Sequence, residues 1–483
     1  MYIGDILIAH GLVTSEDIAL ALQLQASKGG SLSDCLVQVG KLKAADLDAV
    51  IQSTPKSPRT LADTGLSVSD LLNLMIKAIF ASGEATSSAI AETLRLPPRA
   101  VQELIYEAEE RRLLDLRGAV RSDSPSELRY TLTEKGVQWA HDALQQNQYV
   151  GPAPVPLSAF CEQIVRQRIV NERVTRAMIE GVFSDLVVSD KLVREIGPAI
   201  NSGRSVLLYG PPGNGKTSVG ERVGSLFHDV IYVPYCFEVD GQVVKVFDPA
   251  LHRPIVSQSS HANEVSSLRR SDMDLRWVAC RRPLVVTGGE LTLEMLDLSF
   301  NPLAKYYEAP LHIKALGGIF LIDDFGRQLV SPTALLNRWI VPMESRIEYL
   351  KLHTGKSFSL PFDELVIFST NLSPRKLMDP AFLRRIPYKI HVGGPSVEEY
   401  HRIFQTIAHK AGLEVEAALV DEIIVELRDR MEFPLASYQP KFIVDQLLAA
   451  SKFEGQGPAL SPGHIAQALS NLVTQEEASE HLD

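Results

Sequence analysis

Two stretches of this chain put residues where phosphate chemistry can be done. "LLYGPPGNGKTS" (207–218) sets Gly210, then Pro211, Pro212, Gly213 and Asn214, then Gly215-Lys216-Thr217 and Ser218. An apolar run, "RSVLLY", precedes it, and the helix-patterned "KTSVGERVGSLF" follows. Glycines at these positions let backbone N–H groups curl around an anion at a helix N-terminus. Lys216 reaches the β- and γ-phosphates, and the Thr217 hydroxyl is an oxygen donor for Mg²⁺. Residues 210–218 thus read as a P-loop, and the cofactors expected are ATP and Mg²⁺. The second stretch, "GGIFLIDDFGRQ" (317–328), runs four apolar residues up to two adjacent carboxylates. Side by side these repel, unless a cation meets the strand end. Asp323 is expected to share magnesium with Thr217, and Asp324 to orient or deprotonate the attacking water.

Further along, "ELVIFSTNL" (364–372) is an apolar strand ending on Asn371, and "DPAFLRRIPYKI" (379–390) carries Arg384 and Arg385. Four helix-patterned segments follow, the third opening with Gln439-Pro440-Lys441. With the two stretches above, these marks resemble the AAA+ ATPases over roughly residues 160–475. The resemblance implies an α/β nucleotide-binding domain with a parallel sheet (160–395) and an α-helical lid (396–475). It implies sensor 1 at Asn371 and an arginine finger acting in trans, Arg385 first and Arg384 second. It also implies a homo-oligomer, a hexameric ring. Lys441 stands where sensor 2 normally contributes arginine, so the charge is kept and the forked geometry lost. Asp324 replaces the family's usual glutamate and is one methylene shorter. Hydrolysis is therefore expected to be slower than in an Asp324→Glu variant.

The elements ahead of this region fall into two units. In residues 1–60, "IGDILIAHGLVTSEDIALALQLQ" (3–25) repeats as "LSDCLVQVGKLKAADLDAVIQST" (32–54) with an offset of 29 residues. Each copy reads as a short helix stopped by glycine (Gly11, Gly40), a turn and a second helix. The unit resembles the duplicated N-terminal domain of type II secretion and type IV pilus ATPases, some of which bind cyclic di-GMP. That family's repeat begins Arg-Leu-Gly and ends in Gln. Here Tyr2 and Ser31 hold the arginine positions, Ser33 the second glycine and Thr54 the second glutamine, so only Gly4 and Gln25 match. A helical docking module is therefore favoured over cyclic di-GMP binding. Residues 66–150 read as a winged helix: three helices, a hairpin around "RSDSPSE" and a closing helix. They carry nine Lys/Arg and twelve Asp/Glu, a net −3, with Glu103, Glu107, Glu109 and Glu110 on the third helix. Duplex affinity comes from neutralising phosphates, so protein docking is favoured over DNA. "STPKSPRT" (53–60) and "YVGPAPVPLS" (149–158) read as linkers.

The predicted fold is multidomain: duplicated helical unit, winged helix, then AAA+ P-loop domain and lid. "YVPYCFEVDGQVVKVFDP" (232–249) and "VACRRPLVVTGGELTLEMLDLSF" (278–300) read as insertions, and "NRWIVPMESRIEYLKLHTGKSFSLPFDE" (337–364) as a helix and a hairpin. Arg276, Trp277 and Gly288-Gly289-Glu290 are candidates for a ring's pore, with packing the favoured reading for Trp277. Net charge is −11, so no global field draws the chain onto nucleic acid or anionic lipid. Cys35, Cys161, Cys236 and Cys280 lie far apart, which argues against zinc and against a disulfide framework. No basic leader and no apolar run of membrane-spanning length stands out, so a cytoplasmic location is expected. The function expected is MgATP hydrolysis that remodels a protein partner, in pilus or secretion machinery. The alternatives are a DNA-directed ATPase, or an assembly switch with little turnover.

Overall fold

Apolar runs with no polar alternation bury both faces of a strand, and three of them form the middle of a five-stranded central sheet whose edge strand Tyr388–His391 alternates instead, with Lys389 and His391 exposed. The computed structural model describes residues 3–28, 32–121, 124–255, 273–455 and 461–472. The strands are β1 (Val206–Tyr209), β2 (Leu284–Thr287), β3 (Ile319–Ile322), β4 (Leu365–Thr370) and β5 (Tyr388–His391), in the order β2-β3-β4-β1-β5 and all parallel. Alternate residues face opposite layers. Leu208, Leu321 and Ile367 enter one core with the helix Asp190–Ser202, while Leu207, Phe320 and Phe368 enter the other. Trp339 fills that second core edge-on to Phe320 and Phe368. It lies on α2 (Pro332–Ser345), while α1 (Lys216–Val223) follows β1. The strand Leu284–Thr287 corrects the reading of 278–300 as an insertion. Its Leu-Val-Val run is one of the two apolar strands flanking β4's partner β3, and Val285 is buried.

Helices α3 (Val397–Lys410), α4 (Ala417–Val425), α5 (Gln439–Phe453) and α6 (Pro462–Leu472) enclose their own core around Tyr400, Phe404, Leu427 and Ile443. Residues 473–475 of the expected lid lie outside the described residues.

The described residues of the N-terminal unit form the helices Ile3–Ala9, Ser15–Lys28, Leu32–Gln38 and Ala44–Ser53. Gly11 and Gly40 end the first helix of each copy with left-handed backbone (φ +68° and +73°), where a side chain is strained. Leu7 and Leu36 are both fully buried, as are their counterparts Val13 and Leu42. Gly4 serves packing, since a Cβ there would meet Ile18 at 3.2 Å. Tyr2 and Ser31 lie outside the described residues. Residues 68–146 form the helices Val68–Ser82, Ser87–Leu94 and Pro98–Glu110, a hairpin (Leu114–Arg121 with Ser124–Leu132) and the helix Glu134–Gln146. Residues 122 and 123 of the expected turn lie outside the described residues.

The two proline-rich segments are not free linkers. Thr54 shares a hydrogen bond of 2.9 Å with the Tyr232 hydroxyl, and the Pro55 carbonyl accepts from Asp274 N–H at 2.9 Å. Val155–Pro156 is a strand of a second sheet, ordered Ser299–Asn301, Tyr306–Glu308, Gln242–Lys245, Cys236–Val239, Val155–Pro156. Composition read these segments as solvated. Pro55, Pro58 and Pro154 are instead buried in the fold. Arg276 joins the pieces: it is buried, bound to Asp274 at 2.8–3.1 Å, and donates to the carbonyls of Thr64 and Pro154, each at 3.0 Å. Trp277 packs in the same core as Phe160 and Tyr232. Neither residue is open to a pore.

Just before β4, Glu364 is fully buried with neither carboxylate oxygen hydrogen-bonded among the described residues. Burial pushes its pKa well above the ordinary 4.5. The folded protein thus keeps a proton that the unfolded chain sheds, and stability falls as pH rises from about 4.5 toward the folded value. Glu364→Gln is expected to flatten the dependence of Tm on pH above about 4.5. Calorimetry giving parallel curves for the two proteins would contradict it.

Candidate functional site

The carboxyl ends of β1, β3 and β4 meet on one edge of the sheet, where open α/β folds bind ligands. From β1 the chain enters Gly210 (φ +147°), where a Cβ would fall 2.2 Å from the Val392 carbonyl oxygen. Gly213 and Gly215 also have positive φ (+76° and +80°), and α1 begins directly at Lys216. Pro211, Pro212, Gly213 and Gly215 are exposed, whereas Asn214 and Lys216 are buried and Thr217 and Ser218 half-buried. The Lys216 ammonium donates to the carbonyls of Gly210 (3.0 Å) and Pro211 (2.8 Å). Burial lowers its pKa, against the upward pull of Asp323 and Asp324.

β3 delivers the two aspartates to this loop. Thr217 Oγ1 lies 3.0 and 2.9 Å from the two oxygens of Asp323. Asp324 takes left-handed backbone (φ +46°), and its Oδ1 accepts from Asn371 Nδ2 at 3.0 Å. So the P-loop, both aspartates and Asn371 come together from strands spread over more than 150 residues of chain. The turn after them is strapped by a residue that the sequence reading passed over. Gln328 Nε2 donates to the carbonyls of Asp323 (3.0 Å), Asp324 (3.3 Å) and Gly288 (3.3 Å), while its Oε1 accepts from Gly326 N–H at 2.8 Å. Gly288-Gly289-Glu290 therefore borders this turn, with Glu290 Oε1 accepting from Gly288 N–H at 2.8 Å.

A second unforeseen contact ties the helical domain to the loop. Ser437 N–H donates to Asn214 Oδ1 at 3.1 Å and Tyr438 N–H to the Gly213 carbonyl at 3.0 Å. A Cβ at Gly213 would sit 2.2 Å from the Tyr438 ring. No periodicity marks such a contact, since it joins a loop tip to the start of α5. Lys441 differs from expectation: it is exposed and pairs at 2.8 Å with Asp445, one turn along α5. The loop is met by Ser437 and Tyr438, the two residues just ahead of α5, whereas Lys441, in the first turn of α5, faces Asp445. Of the two arginines, Arg385 Nε donates to Glu344 on α2 at 2.5 Å, and Arg384 is exposed.

The residues fit a magnesium-bound triphosphate. A hydroxyl and a carboxylate within 3.0 Å of each other are hard oxygen donors of the kind Mg²⁺ takes. The positive-φ glycines shape a loop only backbone can line, and Lys216 now spends its ammonium on loop carbonyls.

Residues 396–471 match a family model described as a domain of unknown function, DUF8689. No curated protein matches the chain. Among solved structures it is similar to domain III of the replication initiation protein DnaA from Thermotoga maritima (12% identity, 60% of this chain and 96% of that one, TM-score 0.33). It is also similar to the Holliday junction branch migration motor RuvB of Thermotoga maritima (17%, 64% and 76%, TM-score 0.32). A third likeness is NtrX from Brucella abortus (15%, 72% and 71%, TM-score 0.34). At these TM-scores the likenesses carry no weight in the functional reading. Among the described residues no helix is long and apolar enough to cross a membrane.

Proposed function

We propose that this chain is an ATPase of the AAA+ type, working as a ring of copies that remodels a protein partner. The observation that carries the reading is the Thr217–Asp323 contact beside Lys216. It joins a phosphate-shaped loop to a carboxylate from a strand two places away in the sheet. Bound magnesium would supply charge neutralisation at the phosphates. Thr217 and Asp323 hold that ion, and Lys216 exchanges its loop carbonyls for phosphate oxygens. Asp324, held by Asn371, takes the proton of the attacking water. Arg384 and Arg385 are the groups offered to a neighbouring copy's phosphate, and Arg385 must first leave Glu344. Asn214 and Tyr438 couple loop occupancy to the helical lid. Residues 1–60 and 66–150 act as docking modules, the second a winged helix whose acidic third helix supports protein over duplex DNA. Pilus or secretion machinery is the setting suggested by the N-terminal resemblance.

The test is metal dependence. Purified protein is expected to bind ATP and release phosphate with Mg²⁺ and to lose both with EDTA. Thr217→Ala should raise the magnesium concentration required by roughly tenfold, because Asp323 is left as the one protein oxygen donor of the pair. Absence of any magnesium-dependent affinity for ATP would overturn the reading.

A further inference from the structure

Away from the nucleotide site, the hairpin Ile347–Lys351/Ser357–Pro361 is a two-stranded sheet with no third strand among the described residues. Its register sets Ile347 opposite Pro361, Tyr349 opposite Ser359 and Lys351 opposite Ser357. Two flanking bonds fix the phase: Phe362 N–H to the Arg346 carbonyl (2.9 Å) and Leu352 N–H to the Lys356 carbonyl (2.8 Å). Glu348 and Leu350 therefore exchange bonds with the second strand, while Ile347, Tyr349 and Lys351 turn their N–H and C=O groups outward. Pro361, which has no N–H to give, sits where this phase requires none. No other backbone hydrogen bond among the described residues uses the outward groups.

A cavity of about 570 Å³ lies beside this edge, lined by Asp297, Leu298, Phe300, Tyr349, Lys351 and His353. Phe300 and His353 stack with ring centroids 3.9 Å apart, and Tyr349 is 57% exposed. Arg338, also at the cavity, has its guanidinium taken by Asp297 and Glu348. Lys351 is exposed and forms no ion pair among the described residues, so its ammonium is open to an incoming carboxylate. A lysine on an edge discourages self-pairing. It also sets the charge of any strand that does pair there.

We propose that this edge and its cavity receive an extended peptide segment of a partner protein, added as a third strand beside Ile347–Lys351. Side chains on one face of a strand recur every second residue. The segment therefore carries an acidic residue against Lys351 and, two residues away, an aromatic one over Phe300 and His353. Main-chain bonds supply affinity and the two side chains supply selectivity. The inference does not rest on the nucleotide reading, because no residue involved is assigned to phosphate or magnesium.

The experiment is fluorescence anisotropy on the full chain without nucleotide. The probe is a labelled peptide of about eight residues, enough to span the edge at ~3.3 Å per residue. It has one Phe, a Glu two residues on, and Ser or Thr elsewhere. Saturable binding is expected with Kd on the order of tens of micromolar. Backbone N-methylation, or Lys in place of Glu, should each weaken it by at least about tenfold. Lys351→Glu should reverse the preference between Glu and Lys peptides, and Tyr349→Ser should weaken both. Both substitutions are at exposed side chains, and unchanged Tm will confirm folding. The proposal fails if the peptide does not bind, if the N-methylated peptide binds equally, if Lys351→Glu changes nothing, or if short single-stranded DNA binds more tightly than the peptide.

Discussion

Asp324→Asn is expected to lower phosphate release from ATP by at least about 100-fold, the low end of what a positioned general base contributes, while MgATP affinity changes little. The amide cannot take a proton, but it keeps the shape and stays within reach of Asn371, which now donates to Asp324 at 3.0 Å. Thr217, Asp323 and Lys216 are untouched, so the grip on nucleotide remains. Single-turnover hydrolysis and equilibrium binding, measured on the same preparation, separate the two. Equal loss of both would mean that Asp324 shapes the site rather than serving its chemistry. An unchanged rate would remove Asp324 from the chemistry, and wild-type turnover already as low as the variant's would return the function to a nucleotide switch. Asp324→Glu is the companion variant. It lengthens the reach toward water but puts a longer side chain on backbone at φ +46°, a conformation that Asp and Asn tolerate better than most. Turnover should rise above wild type while stability falls by about 1 kcal/mol. The left-handed position thus supplies a physical reason for aspartate at this point of the chain.

Arg276→Ala is expected to destabilise the protein by about 3–5 kcal/mol, the loss seen when one member of a buried ion pair is removed. Asp274 would be left buried and unpaired, and the carbonyls of Thr64 and Pro154 would each lose a donor. Replacing both charges, Asp274→Leu with Arg276→Met, should cost less than either single change, because no isolated charge remains inside. The chain has several cores, so one unfolding midpoint is not a sufficient readout. Limited proteolysis should show new cleavage in 53–66 and 149–158, the segments that this side chain pins. Single and double variants of equal stability would contradict the assigned role, as would segments that resist cleavage in Arg276→Ala.

Local pattern was enough to single out the residues that the fold brings together at the ends of β1, β3 and β4. Gly210, Gly215, Lys216 and Thr217 are legible because a phosphate cradle needs backbone without side chains, then a cation and a hydroxyl at fixed spacing. Asp323 and Asp324 are legible because an apolar strand ending in paired carboxylates has few other uses. Gly11 and Gly40, which stop helices on left-handed backbone, are legible from the same kind of local pattern. What lay beyond reach involved partners distant in sequence. Nothing local marks Gln328 as the strap of the aspartate turn, since its four partners are backbone atoms. Nor does anything mark Tyr438 against Gly213, or Lys441 turned to Asp445 rather than the loop. The proline-rich segments read as linkers because composition reports solubility and cannot report an unmade sheet. Leu284–Thr287 read as part of an insertion because parallel neighbours are contributed by distant chain.

Residue identities alone thus singled out the glycine loop, Lys216, Thr217 and the two aspartates, since that depends on side-chain chemistry and on backbone freedom within about ten residues. Only the tertiary structure decided how the N-terminal units lock onto the rest through Arg276, what holds Asp324 in place, and that the hairpin keeps an open edge. Those outcomes depend on desolvation and hydrogen-bond pairing between segments far apart in the chain, and neither exists until the chain has folded.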